Sequence, residues 1–156
     1  MPKSRKLTLL DRAKLDLGTA KVMWNQVAAD EAYIDICAYH CQQCVEKVAK
    51  HIITLQGDSY TPDHRIEYYL PDLKDCEIKR LIGSIEVDID RWATQARYKN
   101  SILASKREVN TIIELCEKLI KLAEEELPKP TAIKGGALTP VDMGFEKIIK
   151  KECQPE

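Results

Sequence analysis

Nowhere in this chain do about 18 apolar residues follow one another, the length that a membrane-spanning helix requires. Lys3, Arg5 and Lys6 open the sequence, but no apolar run of signal-peptide length follows them. Both absences predict a cytoplasmic protein without a membrane partner. Sustained alternation of β-branched and polar residues is also missing, which argues against strands. Charge of one sign is not in surplus either: 24 Lys and Arg face 25 Asp and Glu, and the pI is about 6.3. A device that coats nucleic acid depends on surplus cations to neutralise phosphates, so that class is disfavoured, although a local basic patch is still allowed. In a cytoplasmic protein the six cysteines are expected to be reduced thiols, with no disulfide framework.

What the chain does have is enough apolar residue for one core. At 156 residues, with 44% hydrophobic and 31% charged side chains, it fits a single soluble domain. Leu10, Ala13, Leu17, Ala20, Trp24 and Val27 keep a spacing of three and four, predicting a helix from about residue 8 to 28. A second helix is predicted from about 30 to 56, ending at Gly57, with Tyr33, Cys37, Cys41, Cys44, Val48, Ile52 and Leu55 on its buried stripe. His40, Gln43, Lys47, Lys50 and His51 run along the edge of that stripe.

Residues 58 to 63 read as a loop, and His64 to Leu70 as a short helix closed by Pro71. Ile78, Leu81, Ile82, Ile85, Ile89, Trp92, Ala93 and Ala96 then sit within a narrow arc, predicting one long helix from about Asp75 to Arg97. Ser105, with Glu108 as its capping-box partner, opens the last helix. Its buried face is read as Val109, Ile112, Ile113, Cys116, Leu119, Ile120, Ala123 and Leu127, and Pro128 and Pro130 end it. Leu115 and Leu122 lie off that face and offer some apolar surface to a second subunit.

The fold class that follows is all-α: an up-and-down antiparallel bundle of four long helices and one short one over residues 1–127. Residues 128–156, with Pro, Lys and Gly135-Gly136, form a tail expected to be mobile unless docked, with one short helix from Thr139-Pro140 through Ile149.

Cys37, Cys41 and Cys44 spell C-x3-C-x2-C, the spacing of an iron-sulfur motif carried on a loop. On a helix, Cys37 and Cys44 stand roughly 10 Å apart along the axis, and a rigid rod does not wrap one cluster. Core packing is the preferred reading, and a structural zinc site with a ligand such as His40 the disfavoured one. No metal and no organic cofactor is expected. Trp92, on the main stripe, reads as core. Glu46 and Lys50 read as a surface ion pair.

The run HCQQCVEKVAK at residues 40–50, then Gly57, Pro62-Asp63-His64 and finally Ala96-Arg97-Tyr98, resembles the HEPN domain family of small prokaryotic helical proteins. The resemblance covers roughly residues 9 to 127. Lys99 stands where the family usually has Pro, and Cys41 and Cys44 where Ala is common. Many HEPN proteins are ribonucleases, an activity tied to an Arg followed four to six residues later by a His. After Arg97 those positions hold Leu103 and its neighbours Ile102 and Ala104, none of which titrates. The ribonuclease reading therefore loses its proton carrier, and RNA cleavage is retained only as an alternative through a rearranged site.

The resemblance keeps His40, Gln43, Lys47, His64, Arg97 and Tyr98 together as candidate ligand-binding residues, with no catalytic residue among them. Arg97 is suited to a bidentate phosphate contact, Lys47 to a point charge and Tyr98 to stacking on a base. The competing reading makes Arg97 and Glu46, or another carboxylate, a structural ion pair, with Asp63-His64 capping the short helix. The family context implies a non-catalytic nucleotide-binding or partner-binding module. Such a module is often encoded beside a minimal nucleotidyltransferase as a toxin-antitoxin type pair, commonly homodimeric, with Tyr98 as a modification target by analogy.

Overall fold

A computed structural model describes residues 3–60 and 62–128. The tail and its expected short helix lie, apart from Pro128, outside the described residues. Helix α1 spans Leu9–Gln26, and a capping box starts it. Thr8 Oγ1 accepts the Asp11 N–H at 3.0 Å while Asp11 Oδ2 accepts the Thr8 N–H at 2.9 Å. Helix α2 spans Tyr33–Leu55. It ends in a Schellman motif: Gly57 N–H donates to the Thr54 carbonyl and Asp58 N–H to the Ile53 carbonyl. This closure needs the left-handed φ of 85° at Gly57, a conformation that costs glycine least.

Helix α6, Lys106–Glu125, opens on the capping box read from the sequence, with Ser105 Oγ accepting the Glu108 N–H at 3.2 Å. Ion pairs of Lys14 with Glu124 and Lys21 with Glu117 set α1 and α6 antiparallel. Asp16 and Ala20 of α1 meet His40 and Cys37 of α2 in reversed order, so α1 and α2 are antiparallel as well. Helices α2 and α6 therefore run in the same direction.

The return between them is not the long helix expected over residues 75–97. It is built from short pieces: α3 (Ile66–Tyr69), a 3-10 turn (Leu70–Asp72), α4 (Glu77–Gly83) and α5 (Asp90–Thr94). Ser84 N–H closes α4 on the Arg80 and Leu81 carbonyls, and residues 85–88 are not helical. Ile78, Ile82, Ile89 and Trp92 are nonetheless buried, so the apolar spacing was real and the continuous helix was not. Pro71 does not terminate the short helix; it sits inside the 3-10 turn, where a missing N–H costs little.

Helix α2 is the centre of the core. Cys37, Cys41, Cys44, Val48 and Ile52 form the expected stripe, and a second row, Ala38, Val45, Ala49 and Ile53, is equally buried. Cys116 of α6 donates its thiol to the Cys41 carbonyl, and Cys37 to that of Ala20. Contact with Cys41, reinforced by burial, pushes the Cys37 thiol up, so it stays protonated. Leu115 and Leu122, read as spare apolar surface, are half-buried against the core, whereas Leu127, read as core, is exposed. Among the described residues no helix is long and apolar enough to cross a membrane.

Candidate functional site

The polar row along α2 does not face one way. His40 and Lys47 both turn to Asp16 of α1: His40 Nδ1 lies 2.8 Å from Asp16 Oδ1, and Lys47 Nζ donates to Oδ2. Burial opposes ionisation of Asp16, yet the hydrogen bonds from His40 and Lys47 outweigh it and hold the carboxyl below its ordinary range. Lys47 is thus committed to an internal ion pair and borders neither of the two cavities around Arg97.

One turn further on, Glu46 and Lys50 are not surface decoration. Glu46 is 2% exposed and Lys50 9%, with Lys50 Nζ donating to Glu46 Oε1 at 2.6 Å. The ammonium also lies 5.2 Å from the ring centroids of both Tyr60 and Tyr69. Burial works against its charge, but the Glu46 carboxylate prevails and raises the Lys50 pKa. The same carboxylate gathers the amides of Gln42 and Gln43 and the ring of His64, whose Nδ1 is 3.1 Å from Oε1. A carboxylate ion-paired with Lys50 accepts, so Nδ1 is the donor, and among the described residues His64 Nε2 has no hydrogen-bond partner.

The loop carrying His64 is set from two sides. Asp63 Oδ1 accepts the Arg65 N–H at 2.9 Å, which closes a turn just before the short helix rather than capping the helix as the sequence suggested. The start of α3, however, is capped from α5: Asp90 Oδ1 accepts the Ile66 N–H at 2.9 Å. Burial raises the Asp90 pKa despite those amide contacts.

Arg97 does not close a long helix; it lies in the turn after α5. Among the described residues it pairs with no carboxylate, so the structural ion pair with Glu46 is not formed. Its guanidinium carbon instead sits 4.5 Å from the Tyr39 ring centroid and 5.2 Å from that of Tyr98, which is 74% exposed. A cavity of about 310 Å³ brings together Tyr39, Gln43, His64, Thr94, Arg97 and Tyr98. Four of the six residues singled out in the sequence, Gln43, His64, Arg97 and Tyr98, thus share one cleft. His40 lines the adjoining cavity, again with Arg97.

Sequence reasoning missed Asp16, Tyr39, Gln42 and Asp90. Asp16 stands three residues after Ala13 and four before Ala20, on the spacing of the apolar stripe, and that position was the readable signal. Gln42 lies four residues before Glu46 in the same way. Nothing local marks Asp90, whose role arises only when α5 meets α3.

Chemically, the cleft offers a guanidinium with no carboxylate partner among the described residues, an exposed phenol and an imidazole held by a buried carboxylate. Among the described residues no group of three or more His, Cys, Asp or Glu is placed to hold a metal ion. Neither a curated protein nor a solved structure matches the chain. The model of the HEPN domain matches residues 7–127, which contain every element described above. The chain belongs to the HEPN domain family.

Proposed function

We propose that this protein is a non-catalytic nucleotide-binding module whose ligand phosphate sits against Arg97, with its base on Tyr98. The supporting observation is the unpaired Arg97 guanidinium, stacked on Tyr39 beside His64 and Tyr98 in one cavity. A planar fork without a carboxylate partner keeps its donors for a bidentate anion contact, and stacking holds its plane. Isothermal titration with the four nucleoside 5′-monophosphates tests this reading. Binding that is lost in Arg97→Ala supports it, and absence of heat with all four ends it.

The family setting adds a partner. In this reading the module works beside a minimal nucleotidyltransferase as half of a toxin-antitoxin type pair, in the cytoplasm and as a homodimer. Co-purification with a nucleotidyltransferase encoded next to it, and mass determination in solution, test those two contacts.

A second reading, a rearranged ribonuclease, draws on one observation: His64 is held through Nδ1 by buried Glu46 in the cleft that contains Arg97. An imidazole in that setting is equipped to move a proton while the guanidinium meets growing charge on phosphorus. RNA cleaved by the wild type but intact with His64→Ala and with Arg97→Ala would favour it over simple binding.

A further inference from the structure

Arg97 and Tyr39 border a second cavity, of about 490 Å³, on the side away from His64. Its polar wall consists of His40, Lys99, Asn100 and Ser101, with Ile36 and Ile102 as apolar neighbours. The segment bearing these groups is fixed at both ends. Tyr98 and Lys99 donate their N–H groups to the Gln95 carbonyl at 3.0 and 3.1 Å. Beyond them, Leu103 and Ala104 donate theirs to the buried Asp35 carboxylate of α2 at 2.9 to 3.0 Å.

The acidic groups near this cavity already have internal partners. Asp35 lines it, but both its oxygens accept those amides. Asp16 lies behind His40, hydrogen-bonded to it and ion-paired with Lys47. Beside the Asp35 carboxylate the cavity is lined by cationic and polar side chains: Lys99, Arg97, Asn100 and His40, whose Nδ1 is held by Asp16.

The cavity beside His64 is at the small end for a ligand pocket, and it shares Tyr39 and Arg97 with its neighbour. A guanidinium has five donors in a rigid fork, enough to meet anions on two edges. Resting on the nucleotide reading above, we infer that the two cavities are halves of one site. Its ligand is a nucleotide bearing phosphates on both sides of its sugar, with Arg97 between them and Lys99 holding the second. Two sources share that chemistry: a free nucleoside 3′,5′-bisphosphate and an internal nucleotide of a strand.

The test compares, by titration calorimetry on the full chain, nucleoside 5′-monophosphates, 5′-diphosphates and 3′,5′-bisphosphates. The 5′-diphosphate adds charge on one side of the sugar only, so it separates geometry from charge. The bisphosphate is expected to bind about tenfold tighter than either of the others. Lys99→Ala, an exposed position whose fold is verified by its melting curve, is expected to remove that advantage and to leave monophosphate affinity within about twofold. A diphosphate as tight as the bisphosphate overturns the two-part site, as does a Lys99→Ala loss equal for all three ligands. No binding by any of them defeats the nucleotide reading itself, an outcome distinct from monophosphate binding without the bisphosphate gain. Displacement of the bisphosphate by a tetranucleotide of the same base supports the two-part site with a strand as source. Bisphosphate gain without displacement supports it with the free compound.

Discussion

Arg97 rests on the ring of Tyr39, its guanidinium carbon 4.5 Å from the centroid, on the ridge between two cavities. A lysine at this position keeps the charge but loses both the fork and the stacking plane. Arg97→Lys is therefore expected to weaken nucleotide binding nearly as much as Arg97→Ala, by about tenfold or more. Neither change should move the melting temperature appreciably, because Arg97 is exposed and its ring contacts lie at the surface. Titration calorimetry beside thermal melting checks both halves.

Glu46 is the acceptor on which Lys50, His64, Gln42 and Gln43 converge. Its removal leaves a buried ammonium uncompensated between two tyrosines. Glu46→Ala is expected to cost about 3 kcal/mol or more of unfolding free energy, the usual loss when one partner of a buried pair is deleted. Urea denaturation with the slope held as a control reads the change directly.

Acid should find Asp16. Its folded pKa is depressed, so its contribution to stability is complete above the unfolded carboxyl value and is lost as pH falls through the lower folded value. The stability difference between wild type and Asp16→Asn is expected to be constant near neutrality and to shrink between about pH 5 and pH 3. A difference independent of pH over that interval contradicts the assignment. Asp90 acts in the opposite sense: its pKa is raised by burial, so protonation on acidification relieves a cost.

Asp35 fastens the segment before α6 through the amides of Leu103 and Ala104. Asp35→Ala strands two N–H groups, one of them buried, and is expected to cost about 2 kcal/mol. It should also lower affinity for the bisphosphate more than for the monophosphate, since Lys99 and Asn100 lose their fixed base. Parallel urea denaturation and calorimetry separate the two effects.

Much of this was legible in the chain. The apolar spacing of α1, α2 and α6, the Ser105 and Glu108 cap, the Gly57 stop and the burial of Trp92 all follow from local chemistry. The break between α4 and α5 was not, because Ile78, Ile82, Ile85, Ile89 and Trp92 keep helical spacing straight through it. Gly83-Ser84 and the acidic run at Glu86, Asp88 and Asp90 carried the only local warning. Glu46 and Lys50 were read as a surface pair because periodicity assumes one buried side. The short return pieces cover the flank of α2 that carries Gln42, Glu46 and Lys50, so these three are forced to find partners inside. His40 and Lys47 were read on one edge of α2 as ligand-binding candidates, and their shared partner Asp16 on α1 is a tertiary fact.

Asp90 deserves a last consequence, since its carboxylate caps the helix that follows His64 while itself belonging to the helix that precedes Arg97. Prising the two sides of the mouth apart would strip α3 of its cap. Widening the mouth therefore carries the cost of uncapping a helix, so the scaffold itself resists it.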